Sequence, residues 1–326
     1  MNFSWNKLKK PILALAPMAG FTDSPFRQTV KELAKDVICF SELTSTNAMH
    51  HNSERTEEML EFKKSEQPLI VQIFGNKPEF FAESAKELEE MGASGIDINM
   101  GCPARKVVRN EQGSALIKNP LLATQIVEAA VKAVKIPVSV KTRIGFKKYD
   151  EKKFVEFCKG IESAGAKLLT IHGRTVDQGF SGKADWDSIY LIKKTLKIPI
   201  IGNGDITSRE IALERLQGLD GIMVGRATYG NPWIMADIDA ALKGKKFEYP
   251  ETMLEKIPLI LKHCRLSIES KGEKYGTLDI RKHLAAYIKG FRKASKYRGK
   301  LVQVESIKDI EEIFKEIRQD FKIQHI

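Results

Sequence analysis

Between Pro11 and about Gly244, short β-branched runs alternate eight times with segments of helical periodicity, and few folds accept that rhythm. The runs at 12–16, 37–43, 69–74, 95–99, 137–142, 168–172, 199–202 and 221–225 read as strands. The helical patterns between and after them include 24–35, 78–91, 121–134, 151–164, 186–196, 208–216 and, after the last strand, 232–242. Parallel neighbours need a crossover, usually a helix, so each pair reads as one βα unit. Eight units predict an α/β fold of the closed kind, a (β/α)8 TIM barrel, rather than an open sheet. Lys135-Ile-Pro137 and Lys197-Ile-Pro199 repeat one helix-to-strand entry, with Pro tolerated at a strand's first residue.

After Tyr249-Pro250 the rhythm stops. Helical patterns at 252–270, 278–295 and 306–321 follow, with no further strand candidate. The expected organisation is a barrel catalytic domain at 1–243 and an all-helical domain at 244–326. A length of 326 residues suits one barrel of about 250 plus a small appendage. The formal charge of +11 points to a polyanionic partner. It is concentrated: 281–300 holds eight bases and no acid. The longest apolar runs, 11–19 and 198–202, fall well short of the ~20 residues that span a bilayer. The lysine-led N-terminus lacks the core and cleavage site of a secretion signal, so a cytoplasmic location is expected. Cys39, Cys102, Cys158 and Cys264 form no CxxC pair, which argues for reduced thiols and against a zinc site.

In a TIM barrel the chemistry lies at the C-terminal ends of the strands. Those ends are polar here: Pro17-Met18-Ala19-Gly20, Ser41-Glu42, Gln72, Asn99 to Cys102-Pro103, Lys141-Thr-Arg143, His172-Gly-Arg174, Asn203-Gly204-Asp205 and Gly225-Arg226. Each alone has an ordinary explanation, since Asn-Gly-Asp is a common turn and a lone Cys a small buried hydrophobe. Eight in succession at one end of a barrel are an active-site rim. Loops after strands seven and eight commonly bind phosphate, so Asn203-Gly204-Asp205 and Gly225-Arg226 suggest a phosphorylated ligand.

The strings Ala16-Pro-Met-Ala-Gly-Phe-Thr-Asp23, Asp97-Ile-Asn-Met-Gly-Cys-Pro103, Lys141-Thr-Arg143, Thr170-Ile-His-Gly-Arg-Thr175, Asn203-Gly-Asp205 and Val224-Gly-Arg-Ala227 resemble the tRNA-dihydrouridine synthase family. Asn231-Pro-Trp233 and Arg281-Lys-His283 extend the resemblance over nearly the whole chain, which looks most similar to the bacterial B-type branch. The resemblance implies an FMN at the barrel mouth, reduced by NADPH, that passes hydride to C6 of a uridine in tRNA. Cys102 matches the donor of the proton to C5, and a thiol with an ordinary pKa of about 8.5 is mostly protonated at neutral pH. Pro17, Met18 and Ala19 match the segment lining the flavin, Gln72 a partner of its ring, and Lys141 the cation at its N1–C2 edge. His172, Asn203, Gly204, Asp205, Gly225 and Arg226 match the ribityl and phosphate contacts. Asn99 and Arg143 match residues that read the uracil, and Arg281, Lys282 and His283 the tRNA-binding helix. No metal is implied.

Two other enzymes and one binding protein remain in view. An FMN-dependent reductase of a free pyrimidine would share the flavin residues but needs no basic appendage. A catalytically dead barrel that only binds RNA would not need Cys102. A metal-dependent barrel aldolase is disfavoured because the strand ends lack a His/Asp/Glu ligand cluster.

Overall fold

The computed structural model describes residues 3–51, 53 and 60–323. They form two compact units, one of Met1–Thr22 with Asp36–Gly225 and one of Asp23–Lys35 with Arg226–Ile326.

The first unit is a closed barrel of eight parallel strands in sequence order. They are β1 (Ile12–Leu15), β2 (Ile38–Ser45), β3 (Leu69–Phe74), β4 (Gly95–Met100), β5 (Val138–Arg143), β6 (Leu169–His172), β7 (Ile200–Asn203) and β8 (Gly221–Val224). Closure is direct, with Ile12 opposite Gly221 and Leu15 opposite Val224. Every strand lies where the β-branched runs put it, give or take two residues. Ile12 and Ala14 of β1, with Ala16 just beyond it, meet Ile38, Phe40, Ile70, Leu168, Ile201 and Met223 in a filled interior, and Trp5 stacks on Phe40 with ring centroids 6.3 Å apart.

Helices follow the strands along the chain: α1 (Ser24–Leu33), α2 (Pro78–Glu90), α3 (Pro120–Ala133), α4 (Glu151–Ser163), α5 (Asp187–Thr195), α6 (Arg209–Leu216) and α7 (Trp233–Leu242). Their starts are written in short polar side chains. Asn119, Asp150 and Ser208 accept from the backbone N–H three residues on, at 3.2, 3.1 and 3.3 Å, satisfying donors that the first turn leaves open.

The repeated Lys-Ile-Pro entry has a structural counterpart. Glu89, near the end of α2, accepts from the N–H groups of Lys135 and Ile136 at 2.8 and 2.9 Å. Glu162, near the end of α4, does the same for Lys197 and Ile198 at 2.7 and 3.0 Å. On the same floor of the barrel, buried Asp220 takes the ammonium groups of Lys10 and Lys193 and the Ile200 N–H.

The second unit contains α1, α7, α8 (Met253–Tyr287), α9 (Ala294–Leu301) and α10 (Ile307–Ile323). The strand–helix rhythm groups α1 and α7 with the barrel; by compactness they belong here. Thr252 and Glu255 open α8 with reciprocal hydrogen bonds of 3.3 Å. A break at Gly272 divides α8. Ile257, Ile260, Cys264, Leu284 and Tyr287 of α8 pack with Tyr297 and Leu301 of α9 and Ile310, Phe314 and Ile317 of α10. The helix expected at 278–295 is a correction: α8 stops at Tyr287, and Gly290 and Lys293 take positive φ of 79° and 65° before α9 begins. Among the described residues no helix is long and apolar enough to cross a membrane.

Candidate active site

Strand alternation sends Asp97 and Asn99 of β4 to one face, and the register sets Gln72 beside Asp97 and Asp97 beside Ser139. A continuous hydrogen-bonded chain results. Ser139 Oγ donates to Asp97 Oδ1 at 2.7 Å, and Gln72 Nε2 donates to Asp97 Oδ2 at 2.7 Å. Asn99 Nδ2 donates to Gln72 Oε1 at 2.8 Å, while Asn99 Oδ1 accepts from the N–H groups of Gly101 and Cys102 at 3.0 and 2.9 Å. The Gln72 N–H is itself held by Ser41 Oγ at 2.9 Å. Burial pushes the Asp97 carboxyl up to about 6, against the pull of Gln72, Ser139 and Lys141. Cys102 is half-buried, whereas Cys39, Cys158 and Cys264 are buried. The far side of its loop is tied by the Ser114 N–H, which donates to the Cys102 carbonyl at 3.3 Å.

Lys141 of β5 lies opposite Asn99 in the register and donates to Asn203 Oδ1 at 3.2 Å. No carboxylate touches its ammonium among the described residues. Burial, and then the neighbouring Arg143, pull its pKa down to about 8, although Asp97 and Cys102 oppose them. Asn203 is fixed from its other end, donating Nδ2 to the Met223 carbonyl at 2.8 Å. Gly204 turns the chain at φ +131°, where a Cβ would come within 2.6 Å of Ala184 Cβ. A Cβ on Gly225 would stand 3.4 Å from Ala16 Cβ and 3.5 Å from Met18 Sδ. Pro17 and Met18 are part-buried there, Ala19 is exposed, and the Met18 N–H donates to Thr22 Oγ1 at 2.8 Å.

Several expected residues have more structural work than the sequence suggested. Both ends of the Gln72 amide are engaged, which leaves one N–H and one lone pair. Arg143 is buried and donates to the carbonyls of Gly101, Thr175 and Gly179, each at 2.9 Å, so it ties two rim loops together. Asp205 accepts Arg174 Nη2 on both oxygens, at 2.8 and 2.7 Å, so its carboxylate enters the rim already neutralised. Arg174, 2% exposed, also approaches His172 Nε2 at 3.3 Å. Ser139 was absent from the sequence-derived site, and Arg174 and Asp97 were named in its motifs without a role. The signal for Asp97 was available, because a charged residue two positions before Asn99 in an apolar strand shares its face.

Arg226, expected with the phosphate contacts, is exposed and falls in the second unit, where the other expected residues are not all surface groups. His283 is 1% exposed and stacks on Phe26, with ring centroids 5.2 Å apart. That burial removes it from direct contact with a phosphate in this structure. Arg281 donates to the Val304 carbonyl at 2.9 and 2.6 Å, and Lys282 pairs with Asp279. Farther along, Lys293 pairs with Asp320 at 3.0 Å and Lys300 with Glu316 at 2.6 Å, while Arg298 donates to the Ile288 carbonyl at 2.8 Å. The acid-free stretch is therefore compensated in space by acids that lie outside it in sequence. Lys289, Arg292 and Lys296 remain exposed.

The same unit buries Asp23, His263 and His283, whose ligand-type atoms lie within 4.8 Å of one another. Lys271 meets Asp23 at 2.5 Å and supplies positive charge to that cluster. Burial raises the Asp23 carboxyl, but Lys271 outweighs it and holds the pKa below its ordinary value.

The buried amides, the thiol and the depressed lysine all belong to strand ends or the loops just beyond them, the position that defines a (β/α)8-barrel enzyme. The fold is shared with the old yellow enzyme homologue of Zymomonas mobilis, at a TM-score of 0.53 and 14% identity over 76% of this chain and 94% of that one. The family model described as dihydrouridine synthase matches residues 14–323. A probable tRNA-dihydrouridine synthase 1 of Synechocystis is 38% identical over 90% of this chain and 82% of its own length. The tRNA-dihydrouridine synthase B of Pasteurella multocida is 40% identical over 85% and 84%. The chain belongs to the dihydrouridine synthase family, a family of flavin-dependent oxidoreductases acting on a CH–CH bond.

Proposed function

We propose that this protein reduces the C5–C6 double bond of specific uridines in tRNA to 5,6-dihydrouridine, using FMN with NADPH as the reductant. The single observation that carries the reading is the juxtaposition of Lys141 and the Cys102 loop on neighbouring strand ends, with Asn99 opposite Lys141. The donor set fits a flavin. Lys141 is a desolvated cation that donates to a neutral amide oxygen and meets no carboxylate among the described residues, so an electron-rich ring edge would complete it. The small residues Ala16 and Gly225 leave room beside Met18.

In this reading Pro17, Met18 and Ala19 line the flavin, Lys141 carries the positive charge at its N1–C2 edge, and His172, Asn203, Gly204, Asp205 and Gly225 hold its phosphate-bearing chain. When bound, the flavin supplies the two-electron reduction as a hydride to C6. Cys102 holds the proton that goes to C5. In the same reading the Asn99 N–H not used by Gln72 donates to a uracil carbonyl, and Arg143 shapes the loop around it. Exposed Lys289, Arg292 and Lys296 provide sequence-independent phosphate contacts, which position folded RNA while the pocket identifies the base. A cytoplasmic location follows from this substrate.

The test is direct. The purified protein should be yellow, release FMN on denaturation, and form dihydrouridine in unmodified tRNA with NADPH, as read by mass spectrometry. Absence of flavin absorbance after FMN is supplied overturns the reading. The internal pairing of the basic stretch favours one alternative, reduction of a free pyrimidine. Turnover of free uracil in place of tRNA would establish it.

A further inference from the structure

We propose that Asp97 is a positioning residue, fixing the polarity of the Gln72–Asn99 amide relay so that the relay ends as an acceptor on the Cys102 loop. The inference rests on the reading of Cys102 as proton donor. An ionised carboxylate can only accept hydrogen bonds, so Asp97 Oδ2 dictates that Gln72 presents its NH2 group. The Gln72 carbonyl must then face Asn99, which dictates that Asn99 presents NH2 to Gln72 and its carbonyl to the chain beyond β4. There it receives two backbone N–H groups, those of Gly101 and Cys102. Reversal of Asn99 would set its NH2 against those two N–H groups and leave both unmade, and reversal of Gln72 would set NH2 against NH2 and carbonyl against carboxylate.

The relay has a group of fixed sign at each end: the backbone N–H donors of Gly101 and Cys102 at one, and the Asp97 carboxylate at the other. Gln72 and Asn99 are each symmetric in shape and can be inserted either way round, and Ser139 can donate or accept. Among the side chains of the relay, Asp97 is the one with a fixed sign, and it matches that of the two backbone donors. Its pKa near 6 leaves it an acceptor at neutral pH, and Lys141 favours the ionised form. It is wholly buried, so it acts through Gln72 and Asn99 rather than on substrate.

The experiment compares three variants with the parent: Asp97→Asn, Asp97→Asn combined with Gln72→Glu, and Gln72→Met. Asn at 97 can offer either oxygen or nitrogen, so the relay loses the fixed sign at that end and is held in direction by the two backbone donors alone. Glu at 72 accepts at both ends, from Asn at 97 and from Asn99, so the double variant restores it. Two rates are read: alkylation of Cys102 by iodoacetamide, followed on its peptide by mass spectrometry, and single-turnover dihydrouridine formation in bound tRNA. In Asp97→Asn, alkylation should rise about fivefold, the opening permitted by one lost hydrogen bond of ordinary strength. Dihydrouridine formation should fall by about 10²-fold, the cost of a proton donor displaced by about 1 Å, with tRNA affinity unchanged.

The double variant should regain at least part of both rates; a purely structural role would not separate it from the single. Gln72→Met cuts the relay without touching a charge and should loosen Cys102 equally, which keeps the test alive where Asp97→Asn does not fold. Parental alkylation in Asp97→Asn or in Gln72→Met overturns the proposal, as does a double variant no better than the single. Full activity of Cys102→Ala would instead remove the proton-donor reading, while the alkylation rates still decide whether Asp97 orders the loop.

Discussion

Two buried clusters of opposite charge show what contact does to a pair of ions. In the second unit Asp23 and Lys271 touch at 2.5 Å, and each is driven further into its charged form: the carboxyl pKa falls below its ordinary value and the ammonium rises above. In the barrel Asp97 and Lys141 are buried without touching. Burial dominates both, so the acid rises to about 6 and the base falls to about 8. A clasped pair is locked; a separated pair is held near neutrality, where small changes in surroundings alter its protonation. The first arrangement suits structure and the second suits chemistry.

The largest effect should appear on the barrel side. Cys102→Ala should keep its flavin and its reduction by NADPH but lose roughly 10²–10⁴-fold in dihydrouridine formation, measured by single turnover on tRNA. Ala at Cys39, Cys158 or Cys264 should leave that rate within a few-fold, since those thiols are buried away from the rim.

Breaking the clasp should cost stability rather than catalysis. Lys271→Met leaves the Asp23 carboxylate buried without its cation, a loss of about 3 kcal/mol in urea denaturation with flavin content unchanged. Adding Asp23→Asn should recover much of it, because Asn caps α1 as well as Asp does and carries no charge. A double variant as unstable as the single would show that the ion pair is not what the fold depends on.

Acid should act on the same cluster. Burial, then His283, hold His263 well below its ordinary pKa; burial, then Lys282, hold His283 at about 3. Both stay neutral in the fold yet protonate in the unfolded chain below about 6.5. The unfolded state thus binds more protons, so this stability is fully present above about pH 6.5 and is lost as pH falls towards 3. The slope is about 1.4 kcal/mol per pH unit for each histidine. His283→Leu should flatten the melting temperature against pH by its share; an unchanged curve would show that His283 is not responsible.

The smallest effect concerns the exposed bases. Changing Lys289, Arg292 and Lys296 to Gln should lower the salt dependence of tRNA binding by about one contact's slope each. Changing Lys293 and Lys300, which already face Asp320 and Glu316, should move it less. Equal slopes for the two sets would argue that internal pairing does not screen these lysines from RNA.

Much of the barrel was legible because strand and helix periods are local properties of sequence. The strand-end rim was legible as a list of residues, but its wiring was not. That Gln72 faces Asp97 depends on register between strands, and that Arg174 neutralises Asp205 depends on a loop 31 residues away. The basic stretch misled for the same reason, since Asp320 lies 27 residues beyond Lys293. Likewise α1 and α8 share a compact unit although Asp23 and Lys271 are separated by 248 positions, a distance no composition or period can bridge.

The carboxylates of Glu89 and Glu162 give the barrel floor an unusual permanence. Each grips two consecutive amides in a connection that would otherwise be free to breathe, so hydrogen exchange at Lys135, Ile136, Lys197 and Ile198 should be slow for loop positions. A base anchored in this way decouples endurance from reactivity: the rim at the opposite end can be rebuilt, loop by loop, without loosening the foundation on which it stands.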